Sequence, residues 1–168
     1  NGEWIEPRPD QLAEVIKTLK TDPLSRRMLV SAWNPIDIPL MALPPCHDSF
    51  QLISNGKDLD LIWRQRSCDV AVGLPYDILL YGLLLELIAK EVGMKARWLI
   101  GQLGDVHVYE SNKNDLYLLA NTPTRILPEL ILPEFKNIFE FAESDELAAQ
   151  VKLVNYNYNS LIKFEVVE

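Results

Sequence analysis

The chain has 168 residues, 48% of them apolar and 24% charged, which fits one globular domain over residues 1–168 with a sizeable core. Its formal net charge of -8 argues against a general binder of nucleic-acid backbones, which needs a basic surface to displace counterions. The longest apolar stretch, residues 78–89, is shorter than the roughly 20 residues that span a bilayer, so a buried helix is expected there and no membrane partner.

Cysteine and histidine are scarce in this sequence, with two of each. Their positions form neither a paired CxxC nor an HxxxH element, so no metal site is expected. The low cysteine content, and a start without an apolar signal-peptide segment, favour a reducing, cytoplasmic location. A disulfide between Cys46 and Cys68 is the weaker alternative.

The first part of the chain predicts one helix and one strand. A helix is expected over residues 11–20, where apolar residues recur at helical spacing, and Asp22-Pro23 closes it. Residues 28–33 are mostly apolar and predict a buried strand that ends at Asn34-Pro35.

A hairpin is predicted at Asn55-Gly56, because both residues tolerate a positive φ angle. The turn joins two strand-like runs, residues 50–54 and residues 59–67. A proline-rich loop leads to Cys46 at the start of the first strand. The hairpin therefore draws Cys46 towards Arg66 on the second strand.

An apolar helix is expected from Gly73 to about Val92, where Gly93 supplies the left-handed cap. This helix is apolar nearly all round, as expected of a central element. The strand that follows, over residues 97–109, places His107 and Tyr109 two residues apart and so on one face of a sheet.

The last part of the chain predicts less regular structure. A short helix is expected over residues 114–120, and a strand over residues 127–132 between prolines. Residues 137–151 fit neither pattern clearly, and residues 155–159 have low propensity for both.

Cys46 is the first candidate for chemistry, because two prolines fix the backbone before it and His47 follows it. Arg66 on the neighbouring strand adds a guanidinium that suits a phosphate. This combination predicts nucleophilic chemistry on an anionic substrate. Cys68 lacks comparable surroundings and is assigned a structural role.

Other polar residues have an ordinary interpretation beside a functional one. Arg26-Arg27, taken alone, is best explained as surface charge. His107 and Tyr109, taken alone, fit core residues whose polar tips find partners as well as they fit a site.

Several segments of the sequence combine into a more specific pattern. In chain order they are Ser25-Arg26-Arg27, Ser31-Ala32-Trp33-Asn34-Pro35, Met41-Ala42-Leu43-Pro44-Pro45-Cys46-His47, Gln65-Arg66-Ser67-Cys68-Asp69-Val70, Gly73-Leu74-Pro75 and Gly104-Asp105-Val106-His107-Val108-Tyr109. Together they resemble the thymidylate synthase family over almost the whole chain. The resemblance implies an α/β fold with a twisted mixed sheet flanked by helices, and a homodimer in which the sheets pack face to face. It also implies a transferase of nucleotide biosynthesis that delivers a one-carbon unit from 5,10-methylenetetrahydrofolate to C5 of a pyrimidine nucleoside monophosphate.

The resemblance assigns roles at the reacting ring and the sugar. Cys46 matches the nucleophile that adds to C6 of the pyrimidine. Tyr109 and Asp69 are the other residues expected to serve in catalysis. His107 and Tyr109 match the residues that hold the deoxyribose hydroxyl.

The resemblance also assigns ligands to the phosphate and to the folate. Arg66 and Ser67 match phosphate ligands within one subunit, and Arg26 and Arg27 match the pair that reaches the phosphate of the other subunit. The residues that match folate contacts are Asp69, Gly73 in the neighbouring loop and, by a looser alignment that also fits a sugar contact, Tyr156.

Asp77 is a departure from the family pattern. Members that use dUMP carry asparagine there, because one amide can donate to O4 and accept from N3–H of uracil. An ionised carboxylate cannot donate to O4, whereas the N4 amino group of cytosine can donate to the carboxylate. This pattern resembles the dCMP-specific members, the deoxycytidylate hydroxymethylases and methylases, and favours dCMP; thymidylate synthase acting on dUMP is the alternative.

Length is the second departure, because the chain resembles only the C-terminal two-thirds of the family. The expected N-terminal part has no counterpart, which fits a piece of a longer protein, a portion carried on another chain, or a degenerate module. The acidic final residue, Glu168, puts the family's closure of the tail over the folate in doubt. Methyl or hydroxymethyl transfer stays open, and a non-catalytic nucleotide-binding or dimerisation module is the alternative of another class.

Overall fold

The computed structural model of the protein describes residues 9–159 and 161–166. The α-helices are α1 Gln11–Thr21, α2 Gly73–Val92, α3 Lys113–Ala120, α4 Ile138–Glu143 and α5 Asp145–Ala149. The β-strands are β1 Leu29–Ser31, β2 His47–Ser54, β3 Asp58–Asp69, β4 Lys95–His107, β5 Glu129–Ile131 and β6 Lys152–Val154. Short 3₁₀ helices lie at Ile38–Leu40 and Glu110–Asn112.

The main sheet has the strand order β1-β2-β3-β4 and is mixed. The first three strands are antiparallel neighbours, whereas β3 and β4 are parallel. Parallel neighbours need a crossover connection, and α2 provides it as the helix of a βαβ unit. Strands β5 and β6 form a separate antiparallel pair. The expected α/β fold with a mixed sheet and flanking helices is therefore confirmed.

Helix α1 confirms the prediction made from apolar spacing. Val15, Ile16 and Leu19 are buried in the core on one side of the helix. The side chain of Asp10 caps the helix by accepting a hydrogen bond from the backbone N–H of Ala13 at 2.9 Å. The helix is thus held by its buried face and by a satisfied N-terminus.

The hairpin between β2 and β3 forms where the sequence predicts it. The side-chain oxygen of Asn55 accepts hydrogen bonds from the backbone N–H groups of Lys57 and Asp58, at 2.9 and 2.8 Å. Gly56 has a φ angle of 87°, in the region that favours glycine. Because β2 begins at His47, Cys46 directly precedes the first strand of the hairpin, as predicted.

Most of the predicted site residues lie at one end of the main sheet. Strands β3 and β4 run towards this end and finish at the paired residues Asp69 and His107. Strand β2 runs the opposite way and begins there at His47, paired with Gln65. Helix α2 follows β3 after a short turn and begins at the same end with Gly73. Open α/β sheets bind ligands beyond the carboxyl ends of their parallel strands, so this end is where a site is expected.

The structure departs from the predicted elements in three places. Strand β1 covers only Leu29–Ser31 and both of these end residues are exposed, so the expectation of a buried strand over residues 28–33 is wrong. Strand β4 ends at His107, so Tyr109 lies just beyond the strand, before the 3₁₀ helix. Helix α2 is not enclosed on all sides in this chain, because Tyr76 and Leu79 are 70% and 63% exposed. In this single chain, the N-terminal half of α2 therefore has an exposed apolar face.

The segment that fitted no clear pattern, residues 137–151, contains two short helices, α4 and α5. The side chains of Asn137 and Ser144 cap these helices by accepting from the backbone N–H groups of Glu140 and Leu147. Within residues 9–159 and 161–166, none of the helices combines the length and hydropathy needed to cross a bilayer. The final residue, Glu168, lies outside the described residues.

Candidate functional site at one end of the sheet

A cavity of about 280 Å³ opens at the end of the main sheet where β3 and β4 finish and β2 begins. Its lining comes from the start of β2, the end of β3, the first turns of α2 and the end of β4. The lining residues are Cys46, His47, Gln65, Ser67, Asp69, Gly73, Asp77, His107 and Tyr109. All of them are polar or glycine, and the set includes a thiol, two carboxylates and two imidazoles.

Cys46 reaches the cavity from a loop that Arg66 holds in place. The backbone N–H of Arg66 donates to the carbonyl of Cys46 at 2.8 Å. The guanidinium of Arg66 donates to the carbonyls of Pro45 and Pro44, at 3.0 and 2.9 Å. Cys46 itself is a free cysteine that is partly exposed. The structure therefore brings Cys46 and Arg66 together, as the hairpin predicts.

Asp77 lies in the first turns of α2 and is 8% exposed. The side-chain amide of Gln65 donates to Oδ2 of Asp77 at 2.8 Å. Nε2 of His47 lies 3.3 Å from Oδ1 of the same carboxylate. Oδ2 of Asp77 thus accepts a hydrogen bond at the cavity wall and Oδ1 lies close to an imidazole, and Cys46 directly precedes that histidine in the chain.

The ends of β3 and β4 form the rest of the wall. The rings of His107 and Tyr109 meet edge to face, with centroids 5.2 Å apart. Nδ1 of His107 lies 3.2 Å from the carbonyl oxygen of Asp105. Oδ1 of Asp69 accepts from the backbone N–H of Ala71 at 3.0 Å, which fixes this carboxylate at the turn into α2.

Cys68 contrasts with Cys46, although both are free cysteines. Cys68 is fully buried. Burial raises the pKa of the Cys68 thiol, and the negative charges of Asp77 and Asp69 raise it further. Cys68 is therefore held as a neutral thiol in the core, in keeping with the structural role assigned to it.

Some predicted site residues lie elsewhere. Side chains alternate along a strand, so Arg66 and Ser67 point to opposite faces of the sheet, and Arg66 lines a neighbouring cavity with Arg64. Arg26 and Arg27 are exposed and do not line the Cys46 cavity. Tyr156 lines a third cavity, formed by the end of α3 and the C-terminal tail, and the structure does not bring it to the Cys46 cavity.

Two lining residues, His47 and Gln65, were not assigned a role from the sequence. Both lie within the quoted segments, and Gln65 precedes Ser67 by two residues on the same strand. The period of two along β3 could have placed Gln65 on the cavity face together with Ser67 and Asp69. Across the described ranges, 9–159 and 161–166, no group of three or more His, Cys, Asp or Glu side chains has the geometry to hold a metal ion.

Comparison with known proteins assigns the chain to a family. The thymidylate synthase family model matches residues 4–168. The chain is 41% identical over 155 residues to the "Probable thymidylate synthase" of Escherichia phage T5, across 92% of this chain and 56% of that protein. It is 37% identical over 157 residues to the thymidylate synthase of Mycoplasma pneumoniae (94% and 53% covered), and 44% identical over 157 residues to that of Listeria monocytogenes serotype 4a (92% and 48% covered).

The chain therefore spans about half the length of these curated relatives. The match nevertheless extends across nearly all of this chain, including every residue that lines the Cys46 cavity. The chain belongs to the thymidylate synthase family.

Proposed function

We propose that this chain provides the nucleotide site and the nucleophile of a cytoplasmic enzyme that transfers a methyl or hydroxymethyl group to C5 of a pyrimidine nucleoside monophosphate, with dCMP preferred. Membership of the family supports the reaction class. One observation carries the proposal for this chain: Cys46 and Asp77 line the same cavity, together with polar side chains from three strands.

Cys46 acts as the nucleophile in this proposal. Its sulfur bonds to C6 of the ring, which opens the C5=C6 double bond and makes C5 able to attack an electrophilic carbon. After C5 has bonded to the one-carbon unit, a base removes the C5 proton and the bond from that carbon to the folate nitrogen breaks. A hydride from the folate then completes a methyl group, or water completes a hydroxymethyl group. The sulfur leaves as the C5=C6 double bond is restored. Covalent addition divides one difficult substitution into easier steps. Tyr109 and Asp69, which line the cavity with Cys46, are the proposed partners for proton transfer.

Asp77 selects the pyrimidine in this proposal. An ionised carboxylate that already accepts from Gln65 offers only acceptor positions to the ring. The O4 carbonyl of uracil would remain unpaired against a negative charge, at a cost of about 1–3 kcal/mol. Cytosine donates from its N4 amino group, and one proton, taken up from solvent and shared between the carboxylate and N3, completes a second bond.

The sugar and phosphate are assigned to residues around the cavity. His107 and Tyr109 hold the deoxyribose hydroxyl and Ser67 binds the phosphate, with Arg66 reaching the phosphate from the neighbouring cavity. Arg26 and Arg27 reach the phosphate of a second copy, since guanidinium groups suit a dianion. Both arginines are exposed in the single chain, so they are accessible to another subunit in the proposed homodimer.

5,10-Methylenetetrahydrofolate is the proposed co-substrate and supplies the one-carbon unit when bound; no metal is proposed. Asp69 offers a carboxylate acceptor at the cavity rim to the donor groups of a folate ring. Gly73 lines the cavity beside Asp69, and a Cβ at this position would make only ordinary contacts, 3.7 Å from Cβ of Asp69 and 3.8 Å from Oδ2 of Asp77. Both residues are assigned to the folate ring in this proposal.

Covalent capture tests the proposal directly. The folded chain is incubated with methylenetetrahydrofolate and either 5-fluoro-dCMP or 5-fluoro-dUMP, and the adduct is located by peptide mass spectrometry. We expect an adduct on Cys46, formed faster with the cytosine analogue. Cys46→Ser abolishes labelling, whereas the matched control Cys68→Ala retains it, since Cys68 is fully buried away from the cavity.

The outcomes separate the alternatives. Labelling that survives Cys46→Ser moves the nucleophile elsewhere and overturns the proposed mechanism. A folded chain that binds mononucleotide but is labelled by neither analogue supports a non-catalytic module. Faster labelling by 5-fluoro-dUMP supports thymidylate synthase activity on dUMP, as the names of the relatives suggest. Product mass distinguishes methyl from hydroxymethyl transfer, which depends on how well water is excluded.

A further inference from the structure

Trp63 lies on β3 behind the cavity and is only 4% exposed. Its indole N–H donates to the side-chain oxygen of Gln65 at 3.2 Å. Trp63 and Gln65 are two residues apart, so both side chains lie on the same face of the strand. Trp63 does not line the cavity, but this hydrogen bond joins it to Gln65, which does.

The indole fixes which way the Gln65 amide faces. An indole N–H can only donate, so the amide atom that faces it must be the oxygen. The NH₂ group of Gln65 then necessarily faces the other way, where it donates to Oδ2 of Asp77 at 2.8 Å. Asp77 is thereby required to accept at this oxygen, which suits the ionised carboxylate.

The position of the Trp63 ring is itself tightly constrained. The ring stacks on Tyr81, with centroids 5.4 Å apart and planes 15° apart. On another side it lies against Gly101, where an added Cβ would come within 2.6 Å of two atoms of the indole. A side chain at residue 101 would displace the indole, so glycine there makes room for it.

We propose that Trp63 is a positioning residue that, through Gln65, holds Asp77 as a hydrogen-bond acceptor and so biases the cavity towards a pyrimidine with an amino group at C4. This inference rests on the proposed function. Without the indole N–H, the Gln65 amide can turn over and present its oxygen to Asp77. Asp77 would then lose the donor that holds its carboxylate as an acceptor, and the preference for an amino group at C4 would weaken.

The test compares the ratio of dissociation constants for dUMP and dCMP in the wild type and in Trp63→Phe. Phenylalanine keeps an aromatic ring between Tyr81 and Gly101 but has no N–H. We expect the preference for dCMP to fall about fivefold. Trp98→Phe is the matched control, because Trp98 is 62% exposed and does not line the cavity, and it leaves the ratio unchanged.

If Trp63 has only a structural role, Trp63→Phe should weaken the binding of both nucleotides equally and leave the ratio of their dissociation constants unchanged. That result would overturn the inference. Gln65→Met removes the same link without touching the aromatic stack, so it must lower the ratio as well, even if Trp63→Phe fails to fold. In the Gln65→Met background, Trp63→Phe should change the ratio no further. An additional change there means that Trp63 does not act through Gln65 and contradicts the inference.

The proposed function and this inference fail in different ways. If the wild type binds neither nucleotide, or prefers dUMP, the proposed choice of substrate is wrong and the inference falls with it. If the wild type prefers dCMP and both variants keep that preference in full, the proposed function stands and only the role of Trp63 is wrong.

Discussion

Asp60 and Asp77 are two buried carboxylates at opposite ends of the same βαβ unit, and they are 7% and 8% exposed. Asp60 lies near the start of β3 and receives two hydrogen bonds from Arg97, Nε to Oδ1 at 2.9 Å and Nη2 to Oδ2 at 2.6 Å. Asp77 receives its hydrogen bond from the amide of Gln65 and lies beside His47.

Asp60 and Asp77 are buried to a similar extent, but their hydrogen-bonding partners differ. This difference indicates that the charge of Asp60 is structural and that the charge of Asp77 is functional. The forked guanidinium of Arg97 satisfies both oxygens of Asp60 and holds the pKa of that carboxyl below its usual range. The negative charge of Asp60 is therefore compensated within the chain. Asp77 has an amide and an imidazole as neighbours and faces a cavity, so its charge can be used by a ligand.

Asp77→Asn should give the largest effect and should act on binding. The amide can donate to O4 and accept from N3–H, so we expect the preference to reverse from dCMP to dUMP. The ratio of the two dissociation constants should change about 100-fold, which corresponds to about 3 kcal/mol. Isothermal titration of both nucleotides with both proteins measures this ratio.

The wild type provides the decisive control for this substitution. Equal or tighter binding of dUMP than of dCMP to the wild type would remove the case for Asp77 as the selector. If Asp77→Asn binds both nucleotides more weakly but the ratio of their dissociation constants is unchanged, Asp77 supports the structure of the cavity but does not distinguish cytosine from uracil.

Local patterns predicted the parts of the fold that depend on single residues or short periods. Asn55-Gly56 specified the hairpin because its turn geometry is local, and Gly93 specified the end of α2, where it has a φ angle of 68°. The exposed half of α2 could not be predicted, because an apolar helix does not reveal from its own sequence which neighbours cover it.

In the candidate site, too, some features could be predicted from the sequence and others depend on how the elements pack. The segment around Cys46 and the Asp77 substitution were visible in the sequence once the family pattern was recognised. The contact of Gln65 with Asp77 was not, because it joins a strand to a helix and depends on how α2 packs over β3. The opposite orientations of Arg66 and Ser67 follow from strand alternation, but the hydrogen bonds of Arg66 to the proline carbonyls need the folded loop.

Asp60→Asn makes the same chemical change as Asp77→Asn at the other end of the unit, and it should act on stability. The neutral amide loses the charge-assisted pair with Arg97, whose side chain is 41% exposed, so solvent screening moderates the loss. We expect the free energy of unfolding in urea at pH 7 to fall by about 1–2 kcal/mol. Asp77→Asn should cost less than this in the absence of ligand; a larger loss at Asp77 would contradict the division of roles.

The smallest expected effect is the change with pH in the stability lost by Asp60→Asn. Hydrogen bonding to Arg97 lowers the pKa of Asp60 below its ordinary value of 3.8, so the unfolded chain takes up this proton at a higher pH than the folded chain does. The stabilisation is therefore complete above about pH 5 and is lost as the pH falls below about 4 and through the folded-state pKa. The gap in unfolding free energy between wild type and Asp60→Asn should narrow between pH 6 and pH 3, by no more than the about 1–2 kcal/mol expected at neutral pH. Urea unfolding of both proteins across this range measures the gap, and a gap of constant size would mean that the charge of Asp60 does not stabilise the fold.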